Sequence, residues 1–265
     1  YLMKKRKKLL SMFISALAVS MLLAACGSDP KESSSGDGSG AKDKLVAGTE
    51  ATFAPFESLD DNGKVVGIDV DILNAIGDET GKNFEVKNIG WEPVFQQVTN
   101  GEIDLGASGI TITKERKESY DFTDPYFEAT QLIVVKKDSK IKSIEDLKDK
   151  KIAVQINTTG HIAAKKILGK SSSKIKAYEN QPLAYQEVIN GSVDAAIGDN
   201  AVIHEYLKNN PNAKLKTIED DAFEKEYYGF MVKKGNKEVL DVLNDGLKKI
   251  KENGKLAEIT GQELK

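Results

Sequence analysis

The stretch Gly106–Phe127 reads GASGITITKERKESYDFTDPYF, and its small, hydroxyl and basic residues predict an anion-binding turn after a buried strand. The strand, Ile103–Ala107, ends at Ser108-Gly109, where small residues leave backbone N–H groups open to a ligand. Thr113 can cap a helical turn that carries Arg116, whose planar guanidinium fits a carboxylate through two parallel hydrogen bonds. The alternative for Arg116 is an ordinary surface charge among charged neighbours.

The first 25 residues predict a secretion signal and are left out of the fold. Five basic residues at positions 4–8 precede an apolar run, Leu9–Leu23, that is shorter than the roughly 20 residues needed to span a bilayer. Cys26, the single cysteine, follows Leu23-Ala24-Ala25 in a pattern that resembles a bacterial lipoprotein signal. We therefore expect lipid on Cys26 and a location on the extracellular face of the bacterial cytoplasmic membrane.

Composition limits the partners of the remaining chain. Residues 26–43 are rich in Ser, Gly, Asp and Lys and predict a flexible linker. Without the five basic residues at positions 4–8, the formal net charge falls from −3 to −8, which argues against nucleic acid as a partner. With one cysteine and two separated histidines, His161 and His204, neither a disulfide framework nor a zinc site is expected, and no cofactor is implied.

Strand and helix patterns alternate from Lys44 onward and predict an α/β protein. The segment Asn100–Gly106 (NGEIDLG) is similar to Asn190–Ala196 (NGSVDAA), and each ends a predicted helix at Asn-Gly before a strand. This internal similarity favours two lobes of similar construction.

Polar side chains follow four of the predicted strands, where ligands of parallel sheets bind. These residues, with one aromatic neighbour, are Glu50, Phe53, Ser108, Thr111, Gln155, Thr158 and Asp199. If the strand ends of two lobes face each other, Arg116 and Asp199 lie on opposite walls and suit the carboxylate and ammonium of a zwitterion. The alternative for Asp199 is the N-cap of the helix that begins near Ala201.

Several spaced motifs together resemble a known family. They are Gly48-Thr49-Glu50 with Phe53–Glu57, Gly67–Asp71, Gly109–Arg116 and Asp121–Tyr126. In this order they resemble the polar amino-acid-binding proteins of ABC importers, the extracellular solute-binding family 3. The resemblance covers nearly all of Leu45–Asn253. It implies a two-lobed type II periplasmic-binding-protein fold, in which each lobe is a mostly parallel sheet flanked by helices and two crossover segments form the hinges.

The resemblance also implies where the lobes divide. The expected segments are lobe 1 at 44–126 plus 228–265, lobe 2 at 130–223, and hinges at 126–130 and 223–227. The chain is expected to act as a monomer.

Roles at the α-carbon end of the ligand follow from the same resemblance. Arg116 matches the arginine that clamps the ligand carboxylate, and Asp199 matches the aspartate that takes the α-ammonium. Ser108, Gly109 and Thr111 match loop residues that bind these two groups. Thr158 and Thr159 match further contacts to the carboxylate.

The ligand side chain is expected to meet a different set of residues. Phe53 and Trp91 match an aromatic pair that sandwiches it, with core packing as the alternative. Glu50 matches an acidic residue at its far end. Gln155 stands where glutamine-binding relatives have a lysine, so the side chain opposite Glu50 carries no positive charge.

The expected function is capture of a free polar L-amino acid by lobe closure and delivery to an ABC permease. Glu50 with Gln155 favours a side chain that donates hydrogen bonds, so glutamine is the first expectation. Basic amino acids, namely arginine, lysine and histidine, are the alternative. A dehydratase-type enzyme on the same fold, with Glu50 as its only evident base, and a sensory ligand-binding module are more remote alternatives.

Overall fold

The computed structural model describes residues 43–264. The predicted signal peptide, Cys26 and the linker up to residue 42 lie outside this range. Among the helices of the described range, none is long and apolar enough to cross a membrane.

Strands and helices alternate along the described chain, as the hydrophobic patterns predict. The strands are β1 (Lys44–Thr49), β2 (Thr52–Phe53), β3 (Glu57–Leu59), β4 (Val65–Val66), β5 (Asn83–Asn88), β6 (Leu105–Gly106), β7 (Tyr120–Phe122), β8 (Phe127–Ala129), β9 (Gln131–Lys136), β10 (Ile152–Gln155), β11 (Ile175–Tyr178), β12 (Ala195–Asp199), β13 (Leu215–Ile218), β14 (Glu226–Tyr228) and β15 (Met231–Lys233). The helices are α1 (Ile68–Thr80), α2 (Trp91–Asn100), α3 (Lys114–Ser119), α4 (Thr159–Leu168), α5 (Gln181–Asn190), α6 (Asn200–Asn209), α7 (Lys237–Glu252) and α8 (Lys255–Thr260), with a 3-10 turn at Ile144–Leu147.

Two five-stranded sheets with the same pattern of directions form the framework. The first has the order β5-β1-β6-β15-β7 and the second β11-β10-β12-β9-β13. In each, the first three strands run parallel and the remaining pairings are antiparallel. The predicted α/β class is confirmed, and each sheet is mixed, with two parallel and two antiparallel pairings.

Two short strands lie where the chain passes between the sheets. The chain leaves the first sheet through β8 and returns to it through β14, and these two strands pair antiparallel, with Tyr228 opposite Phe127. Because side chains alternate along a strand, Glu226 and Tyr228 project from the same face of β14.

The repeated Asn-Gly motif has the same structure in both copies. Gly101 and Gly191 end α2 and α5 in the left-handed conformation, at φ 75° and 77°, which glycine adopts without a steric penalty. Three residues later, the carboxylates of Asp104 and Asp194 accept hydrogen bonds of 2.8 and 2.7 Å from the backbone N–H groups of Val46, within β1, and of Lys151, directly before β10. The motif thus ties the end of a helix to the adjacent strand.

Strand bounds differ from the prediction next to this motif. The apolar pattern predicts strands at Ile103–Ala107 and Val193–Ile197, and both begin two residues later, as β6 and β12. Ile103 and Val193 are buried nevertheless. An apolar pattern indicates that a residue is buried, but it does not show that the residue pairs with a neighbouring strand. Here Ile103 and Val193 are buried in the turn that follows the glycine.

The sequence also predicts a single strand at Tyr228–Val232 and a short helix capped by Ser143, and both predictions were wrong. The strand expected at Tyr228–Val232 is divided, since β14 ends at Tyr228 and β15 begins at Met231 in a different sheet. Ser143 precedes the 3-10 turn but its side chain makes no capping bond, and the N–H of Ile144 donates instead to Asp220 at 2.8 Å. Both outcomes depend on partners distant in the sequence.

Helices α1 and α7 approach closely in the core beside the first sheet. Gly246 of α7 lies against Ile76 of α1, and a Cβ at position 246 would fall 2.5 Å from Ile76 Cγ2 and 3.0 Å from its Cβ. Ile76 is fully buried, so its side chain has little room to shift.

We expect Gly246→Ala to lower the free energy of unfolding by about 1–2 kcal/mol, because overpacking outweighs the better helix propensity of alanine. Urea unfolding of the ligand-free protein measures the change. Lys248→Ala, at an exposed position of the same helix, is the control and should change stability by less than about 0.5 kcal/mol. A Gly246→Ala variant as stable as the wild type would contradict this packing.

Candidate functional site

The cavity between the two sheets is lined by side chains that follow the carboxyl ends of parallel strands, as expected for open α/β sheets. Its lining residues are Glu50, Phe53, Trp91, Ser108, Gly109, Thr111, Arg116, Gln155, Thr158, Thr159 and Asp199. They are the same eleven residues that the sequence predicts as ligand contacts. The structure brings them all together, while their contact with a ligand stays a prediction. The cavity measures about 20 Å³, so the walls stand close together.

Arg116 is positioned by its own helix and by both walls. Thr113 Oγ1 accepts a 3.1 Å hydrogen bond from the N–H of Arg116, which confirms the predicted helix cap. The guanidinium donates to the carbonyl of Thr111 at 2.9 Å and to that of Asn157 at 3.1 Å. Its carbon lies 5.5 Å from the centroid of the Trp91 ring, within cation–π range.

The charge of Arg116 is not neutralised by an ion pair. Within residues 43–264, no carboxylate oxygen lies within 4 Å of its guanidinium. Burial lowers the pKa of Arg116 to about 10, and the nearby charges of Glu226 and Asp199 oppose this shift. At neutral pH the side chain therefore remains a cation that can meet a ligand carboxylate.

Asp199 is held by hydrogen bonds from other elements. It stands at the N-cap position of α6 but makes no capping bond, so the N-cap alternative for its side chain was wrong. Its Oδ1 accepts from Gln131 Nε2 at 2.7 Å, and its Oδ2 accepts a short hydrogen bond from the hydroxyl of Tyr228. Burial first, and then the charge of Glu226, raise the pKa of Asp199 to about 7.

Glu226, Gln131 and Tyr228 adjoin the cavity although the sequence does not single them out. Glu226 Oε2 accepts hydrogen bonds from Thr159 at 2.8 Å and from Thr111 at 3.2 Å. Glu226 lies in the charged run Glu224-Lys225-Glu226, which by pattern is an ordinary surface segment. The expected hinge at 223–227, which contains Glu226, was the signal that the sequence offered.

Glu50 is a buried carboxylate with one unpartnered oxygen. Its Oε1 accepts a 2.7 Å hydrogen bond from Thr52, whereas Oε2 has no hydrogen-bond partner among the described residues. Burial, and more weakly the charge of Glu179, raise the pKa of Glu50, while Thr52 and Gln155 oppose this rise. The amide of Gln155 donates to the backbone carbonyl of Glu179 at 3.2 Å. Oε2 of Glu50 therefore offers an acceptor to a hydrogen-bond donor or a cation at this end of the cavity.

The two aromatic residues of the cavity also belong to the core. Phe53 and Trp91 are 9% and 7% exposed, so each combines core packing with a place in the lining. Phe53 packs on Gly109, where a Cβ would lie 2.8 Å from the ring and where φ is 54°. The indole N–H of Trp91 is buried without a hydrogen-bond partner in the described part of the chain.

The loop after β10 crosses the cavity. Asn157 has a left-handed φ of 57°, which asparagine tolerates better than most residues. Its amide donates to Glu92 of α2 at 2.7 Å. Thr158 caps α4 by accepting a 3.2 Å hydrogen bond from the N–H of His161. These contacts keep Thr158 and Thr159 against the opposite wall.

The sequence matches the bacterial extracellular solute-binding proteins, family 3, over residues 45–263. The chain belongs to this family. The resemblance and the type II periplasmic-binding-protein fold that the motifs imply are confirmed.

The similar proteins bind amino acids. The probable histidine-binding protein of Neisseria gonorrhoeae is 42% identical over 246 residues, which cover 92% of this chain and 91% of that protein. The ABC transporter glutamine-binding protein GlnH of Bacillus subtilis (strain 168) is 34% identical over 269 residues, which cover 96% of each chain. The solved structure of the arginine-, lysine-, histidine-binding protein ArtJ from Geobacillus stearothermophilus has a TM-score of 0.80 at 51% identity and covers 84% of this chain and 97% of that one.

The general function of the protein follows from its membership of this family. The protein is an amino-acid substrate-binding protein of the ABC transport type, and proteins of its family bind free amino acids and work with ABC permeases. The similar proteins are solute-binding transport proteins and not enzymes.

Below the cavity of this solute-binding protein lie two further buried carboxyl groups. Glu57 Oε1 accepts a 3.0 Å hydrogen bond from Ser108 Oγ. The two oxygens of Asp69 accept from the N–H of Gly109 at 3.0 Å and from the Tyr126 hydroxyl at 2.7 Å. Glu57 and Asp69 thus hold the Ser108-Gly109 turn in place by hydrogen bonds.

Burial shifts the protonation of both groups in the same direction. Desolvation raises the pKa of Asp69 to about 7, against the effect of its hydrogen bonds. Desolvation, followed by the charge of Asp69, raises the pKa of Glu57. In the folded state these two groups therefore bind protons more tightly than in the unfolded chain. Their contribution to stability is fully present at low pH and declines as the pH rises from about 4 through about 7.

We expect Glu57→Gln to lose less unfolding free energy than the wild type between pH 5 and pH 8. The amide can still accept from Ser108 and cannot ionise, so one of the two buried charges never forms. Urea unfolding at both pH values gives the difference. Asp61→Asn, an exposed neutralisation, should keep the wild-type pH dependence. The same pH dependence in Glu57→Gln and wild type would refute the assignment.

Proposed function

We propose that this protein captures a basic L-amino acid, with arginine first and lysine and histidine next, and delivers it to an ABC permease. The observation that carries the proposal is the buried carboxylate of Glu50, whose Oε2 has no partner among the described residues. A buried anion is costly without a cation or several donors. A guanidinium or ammonium at the end of the ligand side chain would supply the missing charge.

The similar proteins support the same choice. The N. gonorrhoeae relative is a probable histidine-binding protein, and ArtJ binds arginine, lysine and histidine. Glutamine, the first expectation from the sequence, becomes the second candidate. It is favoured by the raised pKa of Glu50, since a protonated carboxyl group would suit a neutral amide, and by the similarity to GlnH.

The α-carbon end of the ligand would lie between Arg116 and Asp199. We assign the ligand carboxylate to the guanidinium of Arg116 and the α-ammonium to Asp199, on opposite walls. The aromatic rings of Phe53 and Trp91 would enclose the side chain, with Glu50 and Gln155 at its end. Ser108, Gly109, Thr111, Thr158 and Thr159 would supply the remaining polar contacts.

Capture would proceed by closure of two lobes, at 44–126 plus 228–265 and at 130–223. Segments 126–130 and 223–227 would be the hinges. Each lobe provides only part of the site, so a ligand that contacts both favours the closed state through its differential affinity. We further propose that lipid on Cys26 and the linker to residue 43 hold the monomer at the extracellular face of the cytoplasmic membrane, near its permease.

Glu50→Gln should reverse the ligand preference. Calorimetric titration of the wild type is expected to give tighter binding of arginine than of glutamine. In Glu50→Gln, the affinity for arginine should fall by about 10- to 100-fold, because a charged hydrogen bond is lost, while that for glutamine changes by less than about threefold.

Glu179→Gln is the matched control, since it removes the same charge from an exposed position near Gln155. It should change both affinities by less than about threefold. Tighter binding of glutamine than of arginine by the wild type would show that the second candidate is correct.

Removal of the guanidinium tests the carboxylate assignment. Arg116→Ala should weaken arginine binding by at least about 100-fold, because a buried carboxylate loses its charged partner. Binding of agmatine, which is arginine without its carboxylate, should be weak in the wild type and change little in the variant. Lys114→Ala, at an exposed position of α3, serves as the control. An equal effect of Arg116→Ala on arginine and agmatine would contradict the assignment.

A further inference from the structure

Glu226 is the carboxylate that joins the two walls of the cavity from the crossover strand β14. Its Oε2 accepts hydrogen bonds from Thr111 Oγ1 at 3.2 Å on one wall and from Thr159 Oγ1 at 2.8 Å on the other. A third donor is Gln131 Nε2 at 3.2 Å. Glu226 does not line the cavity, but both of its threonine partners do.

The hydrogen bonds determine which way the two hydroxyl groups face. A hydroxyl has one proton to donate and two lone pairs that accept. Because Thr111 and Thr159 give their protons to Glu226, only lone pairs are left to face the cavity. One lone pair of Thr159 Oγ1 already accepts a hydrogen bond from Gln131 Nε2 at 3.2 Å, which leaves the other for a ligand. Lone pairs accept from an ammonium group and repel a carboxylate, so these hydroxyl groups discriminate between the two ends of a zwitterion.

The charges around Glu226 act in the same direction. The amide of Gln131 donates both to Glu226 and, at 2.7 Å, to Asp199, so the two carboxylates share one donor. Burial and then the charge of Glu226 raise the pKa of Asp199, and the charge of Glu226 stabilises the cationic form of Arg116. Two acidic groups thus stand at one end of the cavity, with Arg116 as the cation nearby.

We propose that Glu226 is a positioning and selectivity residue that makes the site require an α-ammonium group on its ligand. It orients the hydroxyl groups of Thr111 and Thr159 as acceptors and places a second negative charge behind Asp199. The inference rests on the proposed capture of an amino acid, but it holds for any side chain because it concerns the α-carbon end. If Glu226 had a purely structural role, its substitution would lower the affinity for all ligands alike.

The test compares two ligands with their counterparts that lack only the α-amino group. Arginine is paired with 5-guanidinopentanoate, and glutamine with 4-carbamoylbutanoate. Calorimetry is done on the wild type, Glu226→Gln and Glu226→Ala. Glu224→Gln, an exposed neutralisation two residues earlier on the same crossover, is the control and should bind like the wild type.

We expect Glu226→Gln to lower the affinity for the better-bound amino acid by about tenfold or more, because a charge near the ammonium is lost. Glu226→Ala should lower this affinity further. Each variant should bind the deamino counterpart with the same affinity as the wild type or with a higher one, because the carboxylate of this ligand no longer faces the charge of Glu226. The effects of Glu226→Ala and Thr111→Val on the amino acid should be less than additive, since both remove the same oriented hydroxyl group.

Equal losses for an amino acid and its deamino counterpart, or no loss for either, would overturn the role of Glu226 and leave the proposed function intact. If the wild type binds no amino acid, the proposed function fails and this inference fails with it. If Glu226→Ala does not fold, Thr111→Val tests the inference in its place. Loss of the acceptor hydroxyl must lower the affinity for the amino acid more than the affinity for its deamino counterpart.

Discussion

The antiparallel pairing of β8 with β14 is the contact on which the geometry of the cavity depends. It holds the two crossover segments side by side and therefore fixes where the carboxyl ends of the two sheets can meet. Glu226 and Tyr228 lie on the same face of β14, because side chains alternate along a strand. Tyr228 bonds to Asp199 and Glu226 bonds to Thr111 and Thr159, so this short ladder also supplies hydrogen bonds to both walls.

More acidic than basic side chains surround the cavity, and most of the acidic ones are buried. Glu50, Asp199 and Glu226 adjoin it, and Glu57 and Asp69 lie beneath it. Arg116 is the cation of the lining. Desolvation disfavours the charged forms of Glu50, Glu57, Asp69 and Asp199, which is why the pKa values of these four carboxyl groups rise. A ligand with one carboxylate and two cationic groups compensates this imbalance better than a neutral zwitterion does.

The eleven lining residues could be named from the sequence because two kinds of information were combined, with Trp91 and Thr159 named by the family resemblance alone. Strand ends of parallel sheets predict where polar residues such as Ser108 and Gln155 meet, and the family resemblance adds roles for each. Glu226 and Gln131 were missed because neither follows a predicted parallel strand. Glutamine ranked first because that reasoning considered Glu50 with Gln155 alone, whereas the similar proteins fit the basic-amino-acid alternative as well or better.

Local features were determined by the sequence itself. The cap of α3 at Thr113, the left-handed ends of α2 and α5 and the placement of Arg116 on a helical turn depend on residues a few positions apart. The tertiary structure alone decided which groups Asp199 and Glu226 bond to. Their partners are separated by 68 residues for Asp199 with Gln131 and by 115 for Glu226 with Thr111. Hydrogen bonds over such separations, and the desolvation that shifts pKa values, exist only once the chain is packed, and no local pattern of residue types encodes them.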